Sequence, residues 1–331
     1  MTMRAETTAA FFVDLARAAL LVLALGGAAR ADSAPAPRFD HLYVVVLENH
    51  DFDEAIDPAQ APFMNALSRT QGLARRYYGV THPSLPNYLA MIGGDDFGVK
   101  DDDASCLASD LRPGQACHKI SGDSLVDQLE AAGLSFALYA QGAAGQGDLV
   151  QGRPAYPNAL YAQKHNPFVY FEKVVGDPAR LARLKPMSEL AADLAGKAPS
   201  FALIVPDQCH DGHGLRGSCN DPKTLSFDYD ATVAELVGVI RASPAWTRNS
   251  AIVVTFDEGE NSPAGAAASN PVDDNRVATI VATPCNGPRI SDARFDHYAL
   301  LATIEDGFGL PRLRKAKDAP SMAELFAGAC R

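Results

Sequence analysis

Runs of apolar residues recur along the chain with the length and composition of buried strands. Residues 42–47 read LYVVVL, an unbroken run rich in β-branched side chains that is typical of a strand covered on both faces in a parallel sheet. Similar runs follow at residues 135–139, 201–205, 251–256 and 277–282. These runs predict the strands of a buried sheet.

Helix-like stretches lie between the runs. They occupy residues 124–132, 187–194 and 229–241, the last with apolar positions spaced by three and four. Strands that alternate with helices predict an α/β fold, with a mostly parallel central sheet and helices on both faces. Residues 261–275, which read NSPAGAAASNPVDDN, are a strongly loop-like insertion.

Polar side chains follow three of the predicted strands at the point where each ends. Glu48 and Asn49 come directly after the first strand, residues 207–213 follow the third, and Asp257 and Glu258 follow the fourth. Parallel strands place their carboxyl ends at one edge of a sheet, where ligand sites of such folds are found. Loops are polar in general, but three such ends together favour a functional site.

A serine lies at the start of a predicted short helix in the segment THPSLPNY. Pro86 is tolerated in a first helical turn, so Ser84 is expected at the helix start, where N–H groups and the positive end of the dipole favour a phosphate oxygen. An ordinary N-cap serine has the same local pattern, and both interpretations stay open. Thr81 offers a second hydroxyl in the same turn.

A divalent cation is the predicted means of activating this serine. A hydroxyl is a weak nucleophile unless an adjacent base, a metal ion or a helix terminus lowers its pKa. Glu48, Asn49, Asp257 and Glu258 supply the hard oxygen ligands that suit one divalent metal ion, which would also bind Ser84. The sequence leaves the identity of this ion open.

Composition and charge exclude several classes of protein. The chain has 331 residues, 47% of them hydrophobic, which is enough for one large domain and excludes a disordered or collagen-like protein. Its formal net charge of -11 leaves no basic surface for a phosphate backbone, so no nucleic-acid partner is expected.

The amino-terminal region has the features of a secretory signal. Arg4 and Arg17 precede an apolar run at residues 18–29 that is too short to span a membrane, and a small-x-small site follows at Ala29-Arg30-Ala31. We expect residues 1–31 to be removed, residues 32–331 to form a single catalytic domain, and the protein to be secreted or periplasmic without stable membrane insertion. An uncleaved anchor is the alternative.

The six cysteines agree with an oxidising compartment, because all lie beyond residue 31 and their number is even. The predicted pairs are neighbours in sequence, namely Cys106 with Cys117, Cys209 with Cys219, and Cys285 with Cys330. A zinc cluster is the competing interpretation, but the chain has no C-x-x-C spacing.

Several segments in a fixed order resemble one known family. They are LYVVVLENH, THPSLPNYLAMIGG, AQKHNPFVYF, the DGH of QCHDGHG, VVTFDEGE and DHYALLATIEDGFGLP, between residue 42 and about residue 311. Together they resemble the bacterial phosphoesterase family that contains secreted acid phosphatases, phosphatidylinositol phosphate phosphatases and phospholipases C. This resemblance implies an alkaline-phosphatase-like α/β fold and a covalent phosphoryl-enzyme step.

The resemblance also implies roles for individual residues. By position, Glu48 with Asn49 and Asp257 with Glu258 match the two pairs of metal ligands, and Ser84 matches the nucleophile. The expected catalytic residues besides Ser84 are Lys164 and His165 of KHNP, which face the phosphate, and His213 of the DxH segment, which contacts phosphate or protonates the leaving oxygen. The expected substrate-binding residues are Asp211 of the same segment, Asn87 of the serine segment and, as a weaker match, His297 of DHY, for which a structural role is the alternative.

The implied activity is hydrolysis of phosphate monoesters through a phosphoserine. The expected substrate is a small phosphate ester or a phosphoinositide head group. Phospholipase C members carry Thr where this chain has Ser84, which favours the monoesterase. A phospholipase C-like phosphodiesterase and a secreted phosphate-binding protein without turnover are the alternatives.

Overall fold

The computed structural model describes residues 36–108, 111–143, 149, 160–260, 275–285 and 287–327. The predicted signal at residues 1–31 lies outside the described residues. The predicted loop-like insertion also does, except for Asn275.

The core of the fold is an eight-stranded mixed sheet with the order β10-β2-β9-β8-β1-β7-β5-β6. Its β9 strand is antiparallel to both neighbours, and the other pairs are parallel, so the predicted mostly parallel α/β sheet is confirmed. A separate two-stranded sheet pairs β3 with β4. The strands are β1 (His41–Leu47), β2 (Gly72–Tyr78), β3 (Ala104–Ser105), β4 (Cys117–His118), β5 (Phe136–Ala140), β6 (Leu184–Pro186), β7 (Phe201–Val205), β8 (Ser250–Phe256), β9 (Arg276–Ala282) and β10 (Arg289–Asp296).

The described helices are mostly short. They are α1 (Phe52–Ala55), α2 (Pro62–Thr70), α3 (Ser84–Gly93), α4 (Leu125–Ala131), α5 (Glu172–Val175), α6 (Pro178–Leu181), α7 (Leu190–Ala195), α8 (Pro222–Ala242), α9 (His297–Phe308) and α10 (Ala323–Phe326), with 3-10 turns at Gln163–His165, Pro167–Tyr170, Met187–Glu189 and Arg314–Lys317.

The helix α8 begins seven residues earlier than its apolar spacing predicts. Asp221 caps it by accepting the Thr224 N–H at 2.9 Å, and Pro222 occupies the first helical position, where its missing N–H costs nothing. The first turns are largely exposed and polar, so hydrophobic periodicity carries no signal there.

The two central strands end in register at one edge of the sheet. In the parallel pair β1 and β8, His41 lies opposite Ser250 and Leu47 lies opposite Phe256. Both strands are buried nearly throughout, as their unbroken apolar sequences predict. The residues that follow the two strands therefore leave the sheet side by side.

Two of the three predicted disulfides are present, Cys106–Cys117 and Cys209–Cys219. Each closes a loop of about a dozen residues or fewer, which restricts the unfolded chain and stabilises the folded one. The third predicted pair includes Cys330, which lies outside the described residues.

The described helices include none with the length and hydropathy needed to cross a lipid bilayer.

Candidate active site

The carboxyl ends of β1 and β8 bring the two predicted acidic pairs together. The Asp257 N–H donates to the Leu47 carbonyl at 3.0 Å, which continues the strand pairing past β8. The Asn49 N–H then donates to Asp257 Oδ1 at 3.3 Å. Asn49 adopts a left-handed backbone (φ 52°), which asparagine tolerates better than most residues. The turn at Asn49 lets consecutive side chains converge instead of alternating as they do in a strand.

Ser84 lies between these pairs at the first position of α3. Its Oγ is 3.0 Å from Glu48 Oε2 and 3.3 Å from Glu258 Oε1, and all three side chains are buried. The single hydroxyl proton can donate to only one of these carboxylates at a time. The N-cap position belongs to Pro83, and no side chain caps the helix there, so the N-cap interpretation of Ser84 is wrong.

The side chains of Asn87 and Thr81 form hydrogen bonds with the backbone of the turn that precedes α3. Asn87 Oδ1 accepts the N–H groups of Val80 and Thr81, and Asn87 Nδ2 donates to the carbonyls of Thr81 and Pro83. The whole amide is thus occupied by backbone, which corrects the prediction that Asn87 binds substrate. The Thr81 hydroxyl donates to the His82 carbonyl at 3.2 Å, so within this turn Ser84 is the hydroxyl that contacts the carboxylates of Glu48 and Glu258.

The start of α3 offers fewer free N–H groups than the sequence suggests. The Leu85 N–H donates to Asp102 Oδ1 at 2.9 Å, and Pro86 has no N–H. Neither of these two first-turn residues therefore has a free N–H group for the predicted contact with a phosphate oxygen.

Lys164 and His213 lie on the partly exposed side of Ser84. Lys164 Nζ donates to Ser84 Oγ at 3.2 Å and to Asp102 Oδ2 at 2.9 Å, and it lies 3.4 Å from His213 Nε2. His213 Nδ1 donates to the Gly214 carbonyl at 2.7 Å, so the lone pair of the neutral ring is at Nε2, facing Lys164. Both predicted residues are therefore positioned for a group that approaches Ser84 from outside.

His165 and Asp211 lie in a buried layer behind Glu48. His165 Nε2 is 3.1 Å from Glu48 Oε1, and His165 Nδ1 is 3.3 Å from Asp211 Oδ2. Asp211 Oδ1 also accepts the His213 N–H at 2.8 Å. Both side chains are almost fully buried behind Glu48 and His213, and their predicted contact with the substrate stays a prediction.

Gly212 allows this layer to approach β1. Its φ of +103° is a conformation that L side chains rarely adopt, and an added Cβ would lie 2.9 Å from the Glu48 carbonyl oxygen. The DGH segment therefore needs glycine at its centre to pass this close to the end of β1.

His297 supports the end of β8 and does not face Ser84. Its Nε2 donates to the Asp257 carbonyl at 2.5 Å, and its Nδ1 accepts the Tyr77 hydroxyl at 2.9 Å. Burial lowers the pKa of His297 to about 4, so the ring is neutral at pH 7. The predicted substrate contact of His297 is thus replaced by a structural role.

Three residues of the site were absent from the predicted set. The Tyr88 hydroxyl donates to Glu48 Oε1 at 2.7 Å, His82 Nδ1 contacts Glu258 Oε2, and Asp102 binds Lys164. Tyr88 could have been found, because it lies one helical turn after Ser84 on the same face. Asp102 lies among three consecutive aspartates, and no spacing rule distinguishes it from its neighbours.

The clustered carboxylates favour a positive charge among them. Burial is the main cause that raises the pKa of Glu48 to about 7, and Lys164 opposes it. Burial, with Glu48 and Glu258 nearby, also raises the pKa of Asp257 well above its usual range. Burial opposes the charged form of Lys164, but Glu48 and Asp102 outweigh it and raise the pKa of Lys164 above its ordinary value.

The donor atoms at this edge fit a hard divalent cation. Among the described residues, Asn49 Oδ1 and Asp257 Oδ2 are buried and have no hydrogen-bond partner. Glu48 and Glu258 add carboxylate oxygens 3.0 and 3.3 Å from Ser84 Oγ. Oxygen atoms of this kind are the ligands that Mg²⁺, Ca²⁺ and Mn²⁺ prefer.

Two further groups of possible ligands lie in the described parts of the chain. One is His50, Glu54 and Glu260, and the other is Asp101, Asp103 and His118; within each group the ligand atoms lie within 4.8 Å of one another. Neither group contains a predicted metal ligand.

Comparisons with known proteins show which family the sequence matches. Residues 54–311 match the model of the Phosphoesterase family. The chain is 28% identical to a probable acid phosphatase of Kluyveromyces lactis over 88% of this chain and 63% of that protein. It is 27% identical to a phosphatidylinositol-3-phosphatase of Mycobacterium tuberculosis over 88% of this chain and 84% of that protein. The chain thus spans less than two thirds of the yeast relative's length.

A solved structure shares the fold. A protein of the alkaline phosphatase superfamily from Vibrio parahaemolyticus superposes with a TM-score of 0.55 at 13% identity, over 88% of this chain and 74% of that chain. At this identity the likeness concerns the fold alone.

Proposed function

The chain belongs to the phosphoesterase family, and on that premise we propose that it hydrolyses phosphate monoesters with Ser84 as the nucleophile. One observation carries the proposal: Ser84 Oγ lies within 3.3 Å of two buried carboxylates and 3.2 Å from the Lys164 ammonium. An ordinary structural serine has no need of such surroundings, because burying several charges around one hydroxyl is costly.

The reaction has two displacements on phosphorus. In the first, Ser84 Oγ forms a bond to the phosphorus atom while the bond to the leaving oxygen breaks, and the leaving group departs as an alcohol that carries the proton given up by Ser84 Oγ. In the second, water attacks the phosphoserine, releases inorganic phosphate and returns the proton to Ser84 Oγ. In both steps Lys164, on the open side of Ser84, donates to the phosphoryl oxygens, and His213 adds a second donor in its protonated form, in which Nε2 also carries a proton. Positioning and charge then carry most of the rate enhancement.

We further propose that one divalent cation binds beside Ser84. Glu48, Asn49, Asp257 and Glu258 would hold it with Ser84. Bound there, it supplies the positive charge that favours the ionised hydroxyl and polarises a phosphoryl oxygen. His165, Tyr88 and His82 keep the two glutamates oriented through the contacts described above.

The proposed substrates are small phosphate esters, including a phosphoinositide head group. The names of the yeast and mycobacterial relatives support this choice. The Lys164 ammonium and the protonated form of His213 offer two N–H donor groups to a phosphate, which suits a terminal phosphate with several free oxygens.

We also propose that the protein acts outside the cytoplasm, in the periplasm or after secretion. The two disulfides support this location, because such bonds persist in oxidising compartments.

The proposed activity is tested by phosphate release with each of several divalent cations. Purified protein should hydrolyse p-nitrophenyl phosphate much faster than p-nitrophenyl phosphorylcholine, Ser84→Ala should abolish the activity, and Thr81→Ala should keep most of it. Circular dichroism should show that both variants fold. Faster hydrolysis of the diester would favour the phosphodiesterase, and phosphate binding without turnover would favour the binding protein.

A further inference from the structure

One carboxylate joins the lysine of the site to the helix that carries the nucleophile. Asp102 Oδ1 accepts the Leu85 N–H at 2.9 Å, and Asp102 Oδ2 accepts from Lys164 Nζ at 2.9 Å. Leu85 is the second residue of α3, next to Ser84. Lys164 belongs to the 3-10 turn Gln163–His165, which is 80 residues away in sequence from Ser84.

The lysine has competing partners in the interior of the site. A lysine ammonium is a point charge on a flexible four-carbon stem, so its position depends on its partners. Glu48 and Asp257 both attract the Lys164 ammonium, and both are proposed cation ligands. Asp102 is half-buried on the open side of the site and binds the ammonium at 2.9 Å.

From this bridge we propose that Asp102 is the positioning residue that holds Lys164 Nζ over Ser84 Oγ for phosphate. The inference rests on the proposed function, because it assigns Asp102 a task within the same site. Asp102 acts through Lys164 and the start of α3.

The segment that carries Asp102 is itself fixed on both sides. On one side, Asp101 Oδ1 accepts from His118 Nε2 at 2.5 Å, and His118 lies next to the Cys106–Cys117 disulfide in β4. On the other side, the Asp103 carbonyl accepts the Tyr170 hydroxyl at 3.1 Å. A carboxylate held this way can set the place of a flexible lysine, since its own position is determined by its neighbours.

The substitution Asp102→Asn isolates this task. Asparagine keeps an oxygen for the Leu85 N–H but removes the negative charge that binds Lys164. Asp103→Asn is the matched control, because it makes the same chemical change one residue away and keeps the Asp103 carbonyl bond to Tyr170.

The first measurement is steady-state hydrolysis of p-nitrophenyl phosphate. Asp102→Asn should lower kcat roughly 10- to 100-fold, since misplacement of a group that contacts the transition state by about 1 Å has effects of that size. Asp103→Asn should stay within about twofold of the wild-type value. The effect should also vanish in a background that lacks the lysine, so Lys164→Met and the double variant with Asp102→Asn should have equal rates.

The second measurement does not depend on turnover. Calorimetric titration of the folded protein with inorganic phosphate should show weaker binding for Asp102→Asn than for Asp103→Asn, and no further weakening when Asp102→Asn is added to Lys164→Met. If the wild type shows no turnover but phosphate binding is weakened by Asp102→Asn only when Lys164 is present, the proposed function is rejected. The positioning role of Asp102 is then still supported. Wild-type rates and phosphate affinity in Asp102→Asn, or additive losses in the double variant, would overturn that role.

Discussion

The Tyr88 hydroxyl donates to Glu48 Oε1 at 2.7 Å, while Ser84 Oγ contacts the other oxygen of the same carboxylate at 3.0 Å. Tyr88 lies one turn after Ser84 on α3, so one helix supplies both the hydroxyl that reacts and the hydroxyl that orients its neighbour. The two contacts from α3, one to each oxygen, therefore restrict rotation of the Glu48 carboxylate.

Removal of this hydroxyl tests the orientation of Glu48. We expect Tyr88→Phe to leave the fold intact and to weaken cation binding and kcat about tenfold, which corresponds to the loss of one hydrogen bond to a charged group. Cation titration and steady-state kinetics would measure the two effects. Tyr43→Phe is the matched control, because the Tyr43 hydroxyl is buried without a hydrogen-bond partner among the described residues. Equal behaviour of the two variants would show that Tyr88 does not orient Glu48.

Substitutions of His213 and His165, the two histidines near Lys164, should affect different properties of the enzyme. His213 faces the open side of Ser84, so His213→Ala should lower kcat and leave cation affinity unchanged. His165 lies between Glu48 and Asp211 in the buried layer, so His165→Ala should lower cation affinity and thermal stability. Kinetics and cation titration on both variants separate the roles. A loss of phosphate affinity in His165→Ala with normal cation binding would restore the phosphate-facing role that the sequence predicts.

His297 should matter for stability and not for substrate binding. Its two ring nitrogens bond to Tyr77 and to the Asp257 carbonyl in the core, so His297→Ala leaves buried polar groups without partners. We expect a loss of about 2 to 4 kcal/mol in the free energy of unfolding, measured in urea. KM of the remaining folded enzyme should stay within about twofold, and a large rise in KM would contradict this assignment.

Glu305 makes stability depend on pH. Burial raises its pKa to about 8, and the backbone N–H of Leu313 only partly offsets this. The folded state thus binds the proton more tightly than the unfolded state, so the contribution to stability is complete below about pH 4.5 and is lost as the pH rises through about 8.

Glu305→Gln should remove this dependence. Between pH 5 and 8 the free energy of unfolding of the wild type should fall relative to that of Glu305→Gln by at least about 1 kcal/mol, the equivalent of a single pKa unit. Urea titrations at each pH would measure this difference. Glu235→Gln changes an exposed glutamate on α8 and should follow the wild-type profile. Parallel profiles for the wild type and Glu305→Gln would reject the prediction.

The central strands could be predicted because each segment's own sequence indicates a buried strand. An apolar, β-branched run such as LYVVVL is compatible with few structures besides a buried strand, and the polar residues after β1 and β8 indicate the functional edge. By contrast, β2 and β10 contain exposed arginines, and β10 also contains an exposed aspartate. These segments form strands because β2 pairs with β10 and β9, which are distant in sequence. Such pairing leaves no period that a single segment reveals.

In the site, too, some features could be predicted from the sequence and others depend on contacts that form only on folding. The convergence of Glu48 and Asp257 follows from strand ends that lie side by side, which the alternation of strands and helices already indicates. The placement of Asn87 and His165 depends on which backbone or side-chain group lies nearest after folding. The sequence shows that these residues are near the site, but only the structure shows that they support it from behind.

Identification of the covalent intermediate would show whether Ser84 is the nucleophile. The enzyme is mixed with p-nitrophenyl phosphate and a divalent cation, quenched rapidly in acid, and digested for mass spectrometry. We expect phosphate on Ser84 in the wild type, also in Thr81→Ala, and none on this peptide in Ser84→Ala. Continued turnover by Ser84→Ala, or a phosphoryl group on another residue while Ser84 stays unmodified, would contradict this expectation.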